Sequence, residues 1–554
     1  MTEQGKKRLG QGILRAGALV GIAHLLFKLA GLIQAKAMGH YLSGVAYDAI
    51  YAFAFENCIF SIFLIAQEIV GPAFLPVFKR ELDLHGDDVA WRFANTLLTL
   101  QLIILIPVVA VLMWQPEWFV SIWTEWTPER NAEQIRLGAT ALRRLAPALF
   151  GLALGATTYS ILNGYKRFFL AAFGDAVWKF AAAGGILAGA LFWGEKTAAL
   201  GLIAGLLLGS VLKVGTHIVG LRDKIRFFRP RLYLNDPAVR AMLWLTLPLI
   251  LGIVFAKVRD IFNNVYILSP LDSAGLMQAN SMGRRLQSTI NWLIPYTLGI
   301  AAFPFFCEMV DRRDHKQLGE VVTHAGRMLL SIFIPFCAVI LFLAMPLTSL
   351  LFRGGEFQEL AVQRTALSTA CYTLVLPAAA IEALTMQAFF ANRRMVSVIV
   401  AGIVFSALSM LISWLGLRVF EVGEMASLAV IAGGFALSRA LKSTTLVVLL
   451  RRSAPVFPFG PTVLFLLRTI LTAILAGGGT WLALRLWTAV PLVTSLRHIN
   501  DLLQLAVGGI GGGAGAIAGW SIFRVREPFE MARWALDKTA GRLRQRLEQT
   551  KGAL

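Results

Sequence analysis

The stretch LLTLQLIILIPVVAVLM, residues 97–113, decides the fold class because it contains no charged residue. A run of this length and polarity is typical of a membrane-crossing helix. Similar runs, such as residues 181–192, recur at short intervals. The chain has 554 residues, of which 57% are hydrophobic and 15% charged, whereas ordinary soluble proteins carry about 25% charged residues. The composition excludes a soluble enzyme and predicts a polytopic membrane protein.

Apolar stretches separated by charged or turn-rich breaks predict an all-α fold of about fourteen transmembrane helices. The predicted spans are 13–38, 46–78, 91–114, 138–163, 170–193, 198–220, 241–268, 273–306, 322–346, 361–390, 396–417, 425–449, 462–488 and 501–523. Lysine and arginine concentrate in every second loop, as in the run 222–231, and are sparse in the loops between. The positive-inside rule therefore predicts that both termini are cytoplasmic.

A weak internal echo suggests two related lobes. The segment AFLPVF at residues 73–78 closes the second predicted span, and AAFPFF at residues 301–306 closes the eighth. We predict an N-terminal lobe (1–221), a basic linker (222–240), a C-terminal lobe (241–450), two additional helices (451–523) and a tail (524–554). Two facing lobes would enclose a central cavity. The alternative is chance similarity between apolar segments.

The charge pattern also predicts which partners the chain has. Its formal net charge is +20, but the cations lie mainly in loops between spans, so they indicate topology and no nucleic-acid partner. The tail from Arg524 has helical spacing of apolar and basic residues, which favours a helix on the bilayer surface over a solvated one. The glycine-rich stretch 508–519 lies in an apolar span and predicts close helix packing.

Sites for metals, cofactors or ATP are not predicted. The four cysteines, Cys58, Cys307, Cys337 and Cys371, show no CxxC spacing, which argues against a disulfide framework or a zinc site. There is no P-loop, HExxH or GxSxG motif, and the inner loops are too short for an ATPase domain. We therefore expect no cofactor and no ATPase subunit. We also predict that the chain is a monomer.

Charges inside predicted spans are the candidate functional residues, because a cation at a helix centre costs about 2.5–3.5 kcal/mol to insert. They concentrate in spans one, two, seven and eight. The cationic candidates are Lys28, Lys257, Arg259, Arg284 and Arg285, and the gating or ion-pair candidates are Asp48, Glu56, Glu68 and Asp260. His24 is interpreted as a packed polar residue. The exceptions in the otherwise cleaner spans are Arg143, Arg144, Asp175, Lys179, Lys213, Glu382 and Arg468.

Two interpretations of these charges remain open. Lys28 and Arg285 would bind an anionic headgroup, since ammonium acts as a point charge and guanidinium can bind phosphate oxygens in pairs. Alternatively they form structural ion pairs, for example with Glu56 and Glu68. Lys257 and Asp260 stand three residues apart and would neutralise each other on their own helix.

The sequence resembles the MurJ/MviN lipid II flippases, of the multidrug/oligosaccharidyl-lipid/polysaccharide exporter superfamily. The resemblance rests on Tyr47-Asp48-Ala49, on AFLP at 73–76, on Arg285-Leu286 and on LTSLLFRGG at 347–355. It implies a multi-pass protein of the bacterial cytoplasmic membrane that moves undecaprenyl-pyrophosphate-linked peptidoglycan precursor to the outer leaflet by alternating access. Its partners would be this anionic lipid-linked glycan and the bilayer. Lys28 and Arg285 would correspond to pyrophosphate-contacting arginines.

This chain departs from the family pattern in the first two helices. The family's S-R-x-x-G-x-x-R-D reads FKLAGLIQA here, residues 27–35, so Gln34 stands in the second arginine position and is included among the substrate-binding candidates. The paired arginines expected in the second helix are absent. The alternatives are therefore a flippase for another lipid-linked oligosaccharide, a drug antiporter, which would need an acidic cavity, or a non-transporting envelope-assembly scaffold.

Overall fold

The structure, a computed structural model, describes residues 26–271, 273–291, 297–392, 394–489 and 497–533. Over these residues the chain is almost entirely helical, and its only β-type pairing is an isolated bridge between Gly354 and Phe357. The all-α prediction is confirmed. His24 and the tail residues 534–554 lie outside the described residues, as does the start of the first predicted span.

The first half of the chain contains the following helices: α1 (26–41), α2 (Gly44–Ala46), the π-helix π1 (Tyr47–Ile59), α3 (Phe60–Trp114), α4 (Pro116–Trp123), α5 (Pro128–Leu145), α6 (Ala148–Gly164), α7 (Phe168–Trp193), α8 (Ala198–Gly220), α9 (Pro237–Ile261) and π2 (Phe262–Tyr266). Short 3₁₀ turns occur at Glu195–Thr197 and Ile225–Phe227.

The second half contains α10 (Leu276–Asn291), α11 (Thr297–Asp311), α12 (His315–Phe352), α13 (Glu359–Thr373), α14 (Val375–Ala391), α15 (Met395–Trp414), π3 (Leu415–Val419), α16 (Glu424–Leu450), α17 (Phe459–Ala489), α18 (Arg497–Ile522) and a helix at 527–533.

Ten of the described helices are long and apolar enough to cross a membrane. The pair Pro128–Leu145 and Ala148–Gly164, bent by 49°, would make an eleventh span. The chain is thus a multi-pass membrane protein, and the count of fourteen stays a prediction. One boundary differs from the predicted pattern, because the charged segment after residue 78 is helical and α3 changes direction only at Gly86, where φ is 80°.

The chain divides into two compact units, which are described separately. The first unit comprises Met1–Ser281 and Phe352–Ala361, and the second Met282–Leu351 and Val362–Leu554. The predicted boundaries of the two lobes and the linker stay predictions.

In the first unit, the interior is built from aromatic stacking and from helices in close contact. Phe74 stacks on Phe78 and Phe93 at centroid distances of 5.2 and 4.9 Å. Helices α7 and α8 meet backbone to backbone, since a Cβ on Gly185 would lie 2.3 Å from the carbonyl oxygen of Gly201. Only glycine at these positions allows this approach.

In the second unit, α12, α14 and α16 surround a core that includes Phe333, Phe389 and Leu446. Helices α17 and α18 pack through glycines, as the 508–519 stretch predicts. A Cβ on Gly511 would lie 2.6 Å from the Gly479 carbonyl oxygen, and one on Gly515 would lie 2.3 Å from that of Leu475.

Candidate functional site

Two lysines of the first unit are held by aromatic rings. Nζ of Lys28, on α1, lies 6.0 Å from the centroid of the Phe27 ring. Nζ of Lys179, on α7, lies 6.0 Å from the same ring and 4.1 Å from the Trp178 ring. The electron-rich face of an aromatic ring attracts an ammonium group even where water is scarce. The structure therefore places two half-buried ammonium groups around one ring, and sequence analysis had treated Lys179 only as an exception.

A third lysine of the first unit is fully enclosed. Lys213, on α8, has a side chain that is 1% exposed, and its Nζ lies 2.6 Å from Oδ1 of Asp175 on α7. Gly155 of α6 makes room for it, because a Cβ there would lie 2.8 Å from Lys213 Cε. A charge this deep persists only with a close counter-charge. Lys213 and Asp175 thus form a structural ion pair within the unit.

The acidic candidates Asp48 and Glu56 bind the start of α10. Oδ2 and Oδ1 of Asp48 accept hydrogen bonds of 2.8 Å from the backbone N–H groups of Gly275 and Gln278. Oε2 of Glu56 accepts a 2.8 Å bond from the Ser281 hydroxyl. A carboxylate at a helix N-terminus satisfies free N–H groups and interacts favourably with the helix dipole. The π-helix that carries both acids is therefore tied to α10.

The candidates of α9 form ion pairs that differ from the predicted one. Nζ of Lys257 lies 4.0 Å from Oε1 of Glu68 on α3, and Nη2 of Arg259 lies 2.6 Å from Oδ1 of Asp260. The predicted pairing of Lys257 with Asp260 on one helix is wrong. Lys257 reaches the neighbouring helix, and the adjacent arginine contacts the aspartate.

Gln34 lies in the interior of the first unit. Its side chain is completely buried, and its Nε2 lies 4.0 Å from the Met38 sulfur. Within the described part of the chain, its Oε1 has no hydrogen-bond partner. Gln34 is therefore a neutral residue buried within the first unit.

The second unit has its own group of cations. The guanidinium carbons of Arg284 and Arg439 lie 5.8 and 5.5 Å from the centroid of the Phe435 ring. Glu382, on α14, is buried and contacts Arg439 Nε at 2.9 Å and Lys442 Nζ at 2.8 Å. Arg439 and Lys442 were missed by sequence analysis, although both lie in the predicted span 425–449.

Arg285 follows Arg284 on α10 and is half-buried. Its carbonyl oxygen accepts hydrogen bonds from the Ser288 and Thr289 hydroxyls at 2.9 and 3.0 Å. These bonds involve the backbone of Arg285 and not its guanidinium group.

A polar network within the first unit holds Lys224, a residue of the predicted basic linker. The Tyr165 hydroxyl donates to Oδ1 of Asp87 at 2.6 Å and accepts from the Trp91 indole at 2.9 Å, and Lys224 donates to Oδ2 of Asp87 at 2.6 Å. Burial and then the Asp87 acceptor raise the pKa of Tyr165. The linker residue Lys224 thus joins a network between α3 and the α6–α7 loop.

A second contact fixes the linker beside this network. Arg167 binds both carboxylate oxygens of Asp223, at 2.5 and 2.7 Å. This bidentate hydrogen bond lowers the pKa of Asp223 to about 2. Arg167 also donates to the Gly220 carbonyl, so the linker begins in a defined position at the end of α8.

Both units thus contain cations that lie beside aromatic rings or carboxylates. Among the described residues, no three His, Cys, Asp or Glu side chains come together to hold a metal ion.

Comparisons with known proteins agree with this architecture. The sequence model described as "Lipid II flippase MurJ" matches residues 35–499. A protein of Rhizobium meliloti (strain 1021) named "Probable lipid II flippase MurJ" is 24% identical over 391 residues, which cover 69% of this chain and 71% of that protein.

Solved structures show the same fold. One described as "Lipid II flippase MurJ, inward closed conformation" has a TM-score of 0.70 at 17% identity, covering 91% of this chain and 99% of that one. An inward-facing MATE-family multidrug transporter of the MOP superfamily has a TM-score of 0.64 at 14% identity, covering 77% and 93%. Because the family model spans most of the sequence, this chain belongs to the MurJ lipid II flippase family.

Proposed function

We propose that this protein moves lipid II, the undecaprenyl-pyrophosphate-linked peptidoglycan precursor, from the inner to the outer leaflet of the bacterial cytoplasmic membrane by alternating access. The observation that carries the proposal is the family match over residues 35–499. The membrane-level cations support it, because a pyrophosphate needs counter-charges in a medium where charge is costly.

In the first unit, Lys28 and Lys179 bind the headgroup of the lipid. Their ammonium groups are partly desolvated on the rings around Phe27, so they lose less hydration when a phosphate approaches than a fully solvated lysine would. Lys179 supplies a cation in a unit where Gln34 has replaced a family arginine.

In the second unit, Arg284 and Arg285 bind the headgroup of the lipid. A guanidinium presents N–H groups in a planar fork that matches two phosphate oxygens. Stacking of Arg284 on Phe435 restricts its rotamers and so reduces the entropy lost on binding. Arginine here and lysine in the first unit would give the two units different strengths of phosphate contact.

The remaining features of the proposal concern topology and energy. The chain acts as a monomer with fourteen crossings and both termini in the cytoplasm, and it needs no ATPase subunit. The membrane potential is worth about 2.3 kcal/mol per unit charge per 100 mV. An inside-negative potential would draw the cationic, unloaded protein back to its inward-facing state.

Complementation of cells depleted of their own flippase tests the function, combined with a leaflet-resolved assay of lipid II accessibility. We expect the wild-type chain to restore growth and outward lipid II. Lys28→Ala, Lys179→Ala and Arg285→Ala should each reduce transport at least tenfold, whereas the charge-conserving controls Lys28→Arg and Arg285→Lys should retain more activity than the alanine variants.

Two outcomes would count against the proposal at different levels. A well-inserted wild-type chain that fails to export lipid II would refute the function. Alanine variants that transport at the wild-type rate would refute the headgroup role of these cations and leave the function intact.

A further inference from the structure

The second unit contains an apolar cavity that the proposed transport does not use. Its volume is about 490 Å³, and it lies where α12, α14, α16 and α17 meet. Aliphatic side chains such as Ile334, Ile381 and Val447 line its interior. Val448, Phe459 and Val463 also line it and are exposed by 49, 76 and 40%. In a membrane-spanning chain, such an opening faces lipid.

One end of the cavity is polar and cationic. Arg451, at the end of α16, lines it and donates through Nε to the Val456 carbonyl at 3.1 Å and through Nη2 to the Phe457 carbonyl. These two bonds fix the guanidinium and leave the rest of its five N–H groups for another acceptor. The cavity thus has a positioned cation at one end and hydrocarbon beyond it.

Two further features favour an anion at this end. α17 begins at Phe459, so the positive end of its dipole offsets the negative end of α16 at Arg451. Thr462, in the first turn of α17, also lines the cavity, and among the described residues its buried Oγ1 has no hydrogen-bond partner. A phosphate or ester oxygen here would satisfy that hydroxyl.

The length of the cavity matches one acyl chain of a phospholipid. Its lining along α16 runs from Ala440 to Arg451, which is about 16 Å at 1.5 Å per residue. One leaflet contributes about half of a hydrocarbon core of about 30 Å. The cavity therefore suits one acyl chain of a single leaflet, and the eleven-unit polyprenyl chain of the proposed substrate is far longer.

We propose that this cavity is a binding site for an anionic diacyl phospholipid of the bilayer, with the phosphate on Arg451 and Thr462 and one acyl chain between α14, α16 and α17. The site lies within the second unit and is separate from the cations around Phe435. The bound lipid would fill the space between α17 and the neighbouring helices.

Native mass spectrometry of the delipidated full chain tests the site, with phosphatidylglycerol and phosphatidylcholine of identical acyl chains as probes. The wild-type chain should bind phosphatidylglycerol at least tenfold more tightly. Arg451→Gln should reduce this preference to less than threefold. Arg452→Gln, which removes an adjacent arginine that does not line the cavity, should preserve it.

A second pair of variants tests the acyl chain and does not depend on Arg451, whose bonds to the loop contribute to folding. Ala440→Trp fills the cavity and should reduce binding of both lipids. Leu441→Trp places the same side chain at an exposed position outside the lining and should leave binding unchanged.

Three results would overturn the proposal: equal affinity for the two phospholipids, equal effects of the two arginine variants, or equal effects of the two tryptophan variants. Displacement of phosphatidylglycerol by equimolar undecaprenyl phosphate would reassign the cavity to the substrate tail. None of these experiments measures transport, so the phospholipid site and the proposed transport function can be refuted independently.

Discussion

Two adjacent glycines of α7 provide a direct test of how the first unit is packed. Gly185 faces α8, where an added Cβ would lie 2.3 Å from the carbonyl oxygen of Gly201 and 2.7 Å from Cα of Gly205. Gly184 is exposed, and an added Cβ there meets nothing within 4 Å. Replacing each by alanine changes the same number of atoms at neighbouring positions of one helix, so we expect opposite effects on stability.

The magnitudes follow from these distances. Ordinary non-bonded contacts lie near 3.5–4.0 Å, so Gly185→Ala forces α7 and α8 apart by about 1 Å. Overpacking of this kind costs about 1–3 kcal/mol. Gly184→Ala gains at most about 1 kcal/mol, the difference in helix propensity. The two variants should therefore differ by about 1–4 kcal/mol.

Thermal unfolding of the purified protein in detergent measures the difference. We expect the midpoint of Gly185→Ala to fall clearly below that of the wild type and the midpoint of Gly184→Ala to equal or exceed it. Gly201→Ala, the reciprocal contact at 2.2 Å from the Gly185 carbonyl oxygen, should behave like Gly185→Ala. Equal midpoints for the two α7 variants would refute backbone contact between α7 and α8.

Three further predictions concern single polar contacts. Asp175→Ala should destabilise the folded protein by about 3–5 kcal/mol, because it leaves the Lys213 ammonium buried without its counter-charge. In thermal unfolding, the double variant Asp175→Ala, Lys213→Met should recover most of this stability. Asp48→Ala should cost about 1–2 kcal/mol in the same assay, since it removes the acceptor for two N–H groups at the start of α10. The pKa of Tyr165 is raised in the folded state, so its hydrogen bond to Asp87 stabilises the fold below pH 10 and is lost as the pH rises above that value. The free energy of unfolding should therefore fall less over this pH range in Tyr165→Phe than in the wild type. An equal fall in both proteins would count against the network.

Much of the fold follows from the sequence because the membrane imposes it. A backbone in hydrocarbon must satisfy its own hydrogen bonds, so each long apolar run becomes a helix. The region after residue 78 was harder to predict. Its charges suggest a loop, but pairs such as Lys79 with Asp83 stabilise the helix at i,i+4 spacing, and α3 continues to the glycine at position 86.

The candidate site was only partly predictable, because contacts between helices depend on rotation about each helix axis. Asp48 and Glu56 were correctly singled out as charges within a span, but their partners at Gly275, Gln278 and Ser281 are far away in the sequence. Hydropathy alone does not show which residues of two neighbouring spans face each other. The pairing of Lys257 was wrong for the same reason, since spacing on one helix does not show which neighbour lies closer.

Burial distinguishes cations that sequence analysis treats alike. An insertion scale gives Lys213 and Lys28 the same free-energy cost of transfer into the bilayer. Lys213, however, is buried and paired with Asp175, so a headgroup cannot reach it without breaking that ion pair. Lys28 and Lys179 are half-buried beside aromatic rings, which lower the cost of burying the charge. The contrast explains how one unit can hold a structural cation and two candidate headgroup cations. It also requires that loss of Lys213 lower stability first and that loss of Lys28 lower transport first.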